Sequence, residues 1–317
     1  MNFVFGCLSL FIIYIALTGA REQRSKFREV ERKTTEVSLF KNVYYFQAYD
    51  FTPSLILESD NLEIKNDILF TFVSPRGKFY EDNVEYRYEA NDGILDKKIG
   101  KLWLTGDVRL SNQSSDYASD KLRYDFKKDI VNANGNVSAQ FVDEKTLDII
   151  KVKSQSLVSY IKQKFARLTG NVRGNLKRKR IYEGGFRFSS EVMELNSLKS
   201  QMDLLKDVKI HKNTYDLEAE KAEVFLENYN KKLKYYVLYD DVKLEQAMRL
   251  DSGRVQMRRA YAEKLESIQS SGKVILTGAP RVEQGADVIK GYQITLRENT
   301  ELIEVDDAQS SFQFQKE

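Results

Sequence analysis

Ala118–Gln140 reads ASDKLRYDFKKDIVNANGNVSAQ. Leu122, Tyr124 and Phe126 alternate there with Lys121, Arg123 and Asp125. After the polar Lys127–Asp129, the set Val131, Ala133, Gly135, Val137, Ala139 and Phe141 alternates with mostly polar residues. Successive side chains of a strand point to opposite faces, so a two-residue period sorts apolar from polar onto the two sides of a half-buried sheet. The stretch therefore holds two antiparallel strands joined by a short turn.

The centre of the second strand, a Gly or Asp, one polar residue and then Val, returns along the chain. It is seen in LTGDVRL at Leu104, ANGNVSA at Ala133, LTGNVRG at Leu168, LKDVKI at Leu205, LYDDVKL at Leu238 and SSGKVIL at Ser270. The marker valines Val108, Val137, Val172, Val208, Val242 and Val274 are 29, 35, 36, 34 and 32 residues apart, room for about two strands and their turns. An all-β array of stacked hairpins follows. Such an array has one apolar face and buries it by folding over on itself, as an antiparallel β-jellyroll or an open V-shaped roll. The candidate inward residues are Leu122, Tyr124, Phe126, Val137, Phe141, Val172, Val224, Leu226, Val242 and Leu244. Leu217–Leu226 and Gln256–Ile268 are rich in Ala, Glu, Lys and Leu and have helical propensity. Each nevertheless occupies the slot that SDKLRYD fills in its own repeat, and strands are expected there because pairing overrides propensity.

Composition excludes several classes of function. The 50 basic and 47 acidic side chains leave a net charge of +3 spread along the chain, without the concentrated basic field that nucleic acid requires. Cys7 is the one cysteine and His211 the one histidine, which rules out an intrachain disulfide and the usual zinc sets; no metal or cofactor is expected. His211, between Lys209 and Lys212, reads as a surface strand residue. Asp240-Asp241 and Asp306-Asp307 are adjacent pairs, whose members point to opposite faces of a strand. Without a nucleophile motif, P-loop, dinucleotide fingerprint or clustered acid and base, no enzyme is indicated. Lys177-Arg178-Lys179-Arg180 is the one dense basic run. It reads either as a solvated loop or as a contact for phosphates of a glycolipid or membrane surface.

Phe3–Ala20 is almost unbroken apolar sequence, about long enough to span a bilayer core as a helix. It reads as a retained transmembrane anchor or as a cleaved signal ending at Thr18-Gly19-Ala20. Residues 21–38 are a charged linker.

The G-x-V unit preceded by a strand like SDKLRYD resembles the repeats of the lipopolysaccharide-transport family that shares the OstA-like β-jellyroll. Gly272–Gln284, Ile289–Leu296 and Leu302–Ala308 are similar in order and spacing to the closing repeats of its A component. The apolar N-terminal segment, Ser54–Glu63 (SLILESDNLE), Phe72–Gly77 and Leu102–Leu110 are more similar to its C component. The resemblance implies a C-like jellyroll over residues 39–148 and A-like repeats over 149–317. It also implies a single-pass inner-membrane protein whose bulk lies in the periplasm, with no catalytic role. The inward face would then remain partly available as a lengthwise groove for the acyl chains of lipopolysaccharide. Burial is worth about 0.8 kcal/mol per methylene, so full enclosure of several chains would exceed the ceiling of about 20 kcal/mol for non-covalent binding. A carrier that releases its cargo therefore needs partial burial in similar steps. The implied partners are lipopolysaccharide, an inner-membrane ATP-driven transporter docking near Val43–Phe46, and another OstA-like protein. The last would pair with the C-terminal edge, Tyr292, Ile294, Leu296, Leu302, Ile303 and Val305. The rival reading is a structural or adhesive β-solenoid whose inward side chains only pack on one another.

Overall fold

The computed structural model describes residues 37–49, 52–81, 84–125, 127–143, 146–179, 185–212, 215–226, 234–249, 255–268, 272–297, 303–307 and 309–311. The apolar segment and nearly all of the charged linker lie outside them. Among the described residues every regular element is a strand, and no helix is long and apolar enough to cross a membrane. The contacts group the chain into two compact units, residues 1–113 with 118–129 and residues 114–117 with 130–317.

In the first unit β1 (Val37–Tyr49) pairs with β2 (Thr52–Lys65). The end of β2 pairs with β3 (Leu69–Val73), whereas its beginning pairs with β4 (Arg76–Glu81). β5 (Val84–Glu89) continues from β4 and β6 (Asp92–Asp96) from β3, and both meet β7 (Lys101–Ser111). The ladder is thus divided into two layers, with the changeover at Ser59, Ser74-Pro75 and Asn91. Ser59 is buried and donates Oγ to the carbonyls of Asn61 (2.7 Å) and Val73 (2.8 Å). Ser74 N donates to Asn91 O and Asn91 N to Gly106 O. Leu62, Ile64, Phe70, Phe72 and Leu95 form the core between the layers, with Val43, Leu57 and Leu102 against it. β8 (Ser115–Asp125) belongs mostly to this unit.

The second unit is a longer version of the same design. β9 (Ile130–Val142), β10 (Ile149–Tyr160), β11 (Phe165–Lys177), β12 (Phe186–Asn196), β13 (Gln201–Lys212), β14 (Tyr215–Phe225), β15 (Lys234–Arg249) and β16 (Val255–Ile268) pair antiparallel, each with the next. β16 then divides between β17 (Lys273–Thr277) and β18 (Arg281–Gln284). One layer continues from β17 to β20 (Gln293–Arg297) and β21 (Ile303–Asp306). The other continues from β18 to β19 (Asp287–Lys290) and β22 (Gln309–Ser311). Since β9 and β10 pair from Val142↔Ile149 to Ile130↔Tyr160, the ladder runs unbroken through residues 148/149. The arrangement is consistent with the expected β-jellyroll.

The recurring motif is the corner of the roll. In every second long strand, β9, β11, β13 and β15, two consecutive residues take positive φ: Gly135 and Asn136 (77° and 46°), Gly170 and Asn171 (81° and 48°), Lys206 and Asp207 (64° and 48°), Asp240 and Asp241 (64° and 50°). Gly106 and Asp107 do so in the first unit. From β11 to β16 the register shows two such residues set against one on the following strand, Glu191, Glu220 or Glu263. A bulge of this kind bends the strand and turns its second half back over the first. The valine that follows is the first inward residue beyond the corner; Val108, Val137, Val172, Val208 and Val242 are 0–2% exposed. The sixth marker departs from the phase read in the sequence. Val274 is buried in β17, ahead of a corner at Gly278 (φ 79°) and Ala279 (φ 52°), so the equivalent valine is Val282, 40 residues after Val242 (282 − 242).

The two helix-prone stretches are strands, β14 and β16. Tyr215, Leu217 and Ala219 are buried before the β14 corner, and Ala222 and Val224 after it, a two-residue period within each half that a helix cannot bury. Left-handed backbone costs a side-chain-bearing residue about 1–2 kcal/mol, part of which glycine returns as lost chain entropy. Lys206→Gly is therefore expected to raise stability by about 0.5–1 kcal/mol. Gly170→Ala should lower it, since a Cβ there would lie 2.5 Å from the Gln155 side chain. Urea unfolding midpoints compare the two, and a destabilised Lys206→Gly would refute the strain at this corner.

Candidate functional site: the interior of the roll and its lips

In the second unit the inward residues of both layers form one contiguous cluster. It brings together seven of the ten side chains assigned to the interior from the sequence: Val137, Phe141, Val172, Val224, Leu226, Val242 and Leu244, none more than 9% exposed. Leu122 is buried and Tyr124 half-buried on the part of β8 in the first unit; Phe126 lies outside the described residues. In this state the interior is closed, its side chains touching one another.

The layers also meet at the ends of the strands away from the corners, the lips of the roll. Tyr215 starts the part of β14 in one layer, while Tyr236 lies in β15 opposite Val224, in the other layer. Their hydroxyls are 2.6 Å apart, and Phe186 stands edge-on to Tyr236 with ring centroids 6.4 Å apart. Arg178, just past the end of β11, donates through Nη1 to Asp148 Oδ2 at 2.5 Å and to Leu226 O at 3.1 Å, and through Nη2 to Phe225 O at 3.2 Å. Asp148 Oδ1 also accepts from Lys179 N. One buried guanidinium thus ties a carboxylate on its own lip to carbonyls on the other.

This corrects the reading of the basic run. Lys177 and Lys179 are exposed, but strand alternation continues through Leu176 inward and Lys177 outward, turning Arg178 inward to 7% exposure. Arg178 thus does not share the exposed face of Lys177 and Lys179, and Arg180 lies outside the described residues. The expected C-terminal edge is corrected too. Ile294 and Leu296 belong to β20, which is paired on both sides and buried. At this end β21, carrying half-buried Ile303 and Val305, and β22 each have one partner among the described residues. Tyr292 is 78% exposed just before β20, and Leu302 lies outside the described residues. At the other terminus β1 is paired only with β2 among the described residues, with Leu39, Tyr44 and Phe46 exposed.

Two features were missed in the sequence. Opposite each bulge stands a small inward residue followed by an acid or amide: Ser154-Gln155, Ser190-Glu191, Ala219-Glu220 and Ala262-Glu263. The buried serines return their hydroxyls to the carbonyl two residues on, Ser154 to Ser156 and Ser190 to Val192. The recurring pair S/A-[D/E/Q] was the available signal. The second feature is the tyrosine contact across the lips, which joins residues 21 apart in sequence and has no local signature.

On the outer face, His211 pairs with Asp216 across β13 and β14. Asp203 stands between Glu194 and Glu223 on neighbouring strands. Burial pushes its carboxyl above the usual range, the hydrogen bond from Gln201 opposes this, and repulsion from Glu223 and Glu194 adds to it. Among the described residues no group of three or more His, Cys, Asp or Glu side chains is placed to hold a metal ion.

The family profile described as "Lipopolysaccharide-assembly, LptC-related" matches residues 7–213. The profile described as "LptA/(LptD N-terminal domain) LPS transport protein" matches residues 187–302. No curated protein sequence matches the chain. Among solved structures the chain is similar to LptH from Pseudomonas aeruginosa, described as the LptA homologous periplasmic component of the conserved lipopolysaccharide transport device. Identity there is 13%, over 42% of this chain and 97% of that one, with a TM-score of 0.37. The first profile covers well over half of the 317 residues, with a C-like front and an A-like back, and the chain belongs to the LptC-related lipopolysaccharide-assembly family.

Proposed function

We propose that the chain is a bridge component of lipopolysaccharide transport in the periplasm, held at the inner membrane by its apolar N-terminal segment. Its interior takes up acyl chains when the lips part. The observation that carries this reading is the form of the second unit: a continuous apolar interior between two layers, joined by covalent corners on one side and by a few polar contacts on the other. The corners are fixed by backbone geometry. The lips are held by side-chain hydrogen bonds, each worth about 1 kcal/mol net, or about 1.5–3 kcal/mol where a charge takes part. A few acyl methylenes at about 0.8 kcal/mol each offset such contacts. Because each hairpin repeats the same inward face, cargo moving along the interior would exchange one set of contacts for a similar one.

In this proposal β1 docks on an inner-membrane ATP-driven transporter and β21 accepts a strand from another OstA-like protein, as exposed edges with one partner permit. No catalytic step is involved. The closed interior favours the rival reading, a packed β-solenoid, and one experiment separates the two. Photo-crosslinking residues placed at Phe141 and Val172 should capture lipopolysaccharide in envelopes, whereas one at the outward Arg173 should not. Equal labelling of all three positions would rule out interior binding.

A further inference from the structure

In the first unit β1 starts at the strand ends away from the corners, with Val37 opposite Lys65, the last residue of β2. The turns 66–68 and 97–100 follow on the same lip, since Lys65 faces Leu69, Leu69 faces Asp96 and Asp96 faces Lys101. They are joined to one another and to the turn after β8. Lys97 N donates to Ile68 O at 3.0 Å, and Lys127 Nζ donates to Lys98 O at 3.4 Å. The acids beside the turns are directed at the backbone: Asp96 Oδ1 accepts from Ile99 N at 3.1 Å, and Asp125 Oδ1 from Lys127 N and Lys128 N at 3.1 and 3.2 Å. Asp129 is 3% exposed. Lys98, Lys127 and Lys128 face solvent, and Asp67 is the exposed carboxylate among the described residues of these turns. Beside them Val37, Leu39, Ile68 and Ile99 are 47%, 75%, 41% and 40% exposed. On the opposite lip the connecting sequences Asp50-Phe51, Asp82-Asn83 and Asn112-Gln113-Ser114 hold no lysine or arginine.

Turns are ordinarily built from polar residues, yet two neighbouring turns here each project an isoleucine into solvent beside lysines. Ammonium groups on flexible stems around short aliphatic side chains fit the interface of an anionic bilayer. The cations stay at the level of the phosphates, and the aliphatic groups enter the boundary between headgroups and acyl chains. The apolar side chains are spread along the lip instead of being gathered in one patch, which suits a fluid surface better than the fitted core of a protein interface. The path of the chain selects the same lip. Sixteen residues separate Ala20, the end of the apolar segment, from Val37 (37 − 20 − 1), and they reach at most about 55 Å. They deliver the chain at the lip that carries the lysines, and not at the one without cations.

We propose that this lip of the first unit rests on the surface of an anionic phospholipid bilayer, with Lys98, Lys127 and Lys128 at the phosphates and Ile68 and Ile99 in the boundary beneath them. The inference rests on the membrane-anchored reading proposed above and assigns the face that the first unit turns to the membrane. The test uses the full chain carrying Cys7→Ser, reconstituted through its N-terminal segment into phosphatidylcholine vesicles with or without about one third phosphatidylglycerol. A polarity-sensitive fluorophore is attached at Ile99→Cys or, on the opposite lip, at the exposed position of Gln113→Cys. With phosphatidylglycerol present, the probe at position 99 should shift to the blue and be quenched by brominated acyl chains at least about threefold more than the probe at position 113. The difference should vanish in about 1 M salt, where the screening length falls to about 3 Å. It should vanish also when Lys98→Gln, Lys127→Gln and Lys128→Gln are combined. Equal quenching at the two positions, or a probe at position 99 that reports water in both kinds of vesicle, would overturn the docking face while leaving the anchored reading standing. So would quenching at position 99 that is the same with and without phosphatidylglycerol. A chain that a high-salt wash releases from both kinds of vesicle would instead overturn the anchored reading and the inference with it.

Discussion

Arg178→Ala is expected to destabilise the second unit by about 3–5 kcal/mol, because removing one member of a buried ion pair strands the other. The side chains of Arg178 and Asp148 are 4% and 2% exposed. The truncation leaves the Asp148 carboxylate with the Lys179 N–H but without its counter-charge, and the Phe225 and Leu226 carbonyls lose a donor each. Replacing the pair together, Arg178→Met with Asp148→Leu, should recover most of the loss, since apolar pairs of similar volume commonly match buried ion pairs. Lys177→Ala and Lys179→Ala, at exposed positions, should stay within about 0.5 kcal/mol of the unaltered protein. Urea unfolding separates these cases. A loss below about 1 kcal/mol for Arg178→Ala would mean that this pair does not hold the lips.

Truncating the interior should have a comparable effect, and one that bears on function. Leu244 is 2% exposed in the single cluster formed by both layers, so Leu244→Ala is expected to cost about 2–5 kcal/mol through lost contacts and a residual cavity. If acyl chains enter the interior, lipid should return part of that loss. A ligand binding only the folded state at a hundred times its dissociation constant adds about 2.7 kcal/mol. Thermal unfolding of Leu244→Ala in mild detergent, with and without lipopolysaccharide, is the measurement. A cost under about 1 kcal/mol without lipid would show that Leu244 faces open space in the resting protein. A full cost that lipid does not relieve would favour the packed solenoid.

The strands and corners were legible in the sequence to different degrees. The alternation around Tyr124 and Val137 shows the strands, and the G/D-x-V unit marks the bends, because few residues other than Gly, Asn and Asp take left-handed backbone readily. Lys206 and Ala279 are the exceptions, and the Lys206 corner is readable only from Asp207 and Val208 beside it. The final corner was misplaced because Gly272-Lys-Val274 mimics the unit, while the true one, Gly278-Ala-Pro-Arg-Val282, carries an extra residue pair before its valine. Division of β2 and β16 between two partner strands was not legible, since Ser74-Pro75 and Ala279-Pro280 look like ordinary turns. Arg178 was read with its lysine neighbours because composition reports the charge of a run and not the side to which each residue turns. The Tyr215–Tyr236 contact depends on the register of β14 with β15 and on the bend between the two halves of β14, which no local pattern encodes.

The consecutive pairing of β9 to β16 has a consequence for how the fold is made and unmade. Each of these strands finds its partners in the segments just before and after it in the chain, so the contacts have low sequence separation and little loop entropy is spent in forming them. Such a ladder behaves nearly as a one-dimensional array, in which stability is a sum of hairpins and their nearest-neighbour interfaces. Its middle strands are held from both sides, whereas β21 and β22 are each held from one among the described residues. Amide exchange with solvent would therefore run inward from the C-terminal strands toward β13 and β14. The last rungs to form and the first to fray are also the ones most open to a visiting strand, so a partner that adds to β21 would raise protection well beyond the rung it touches.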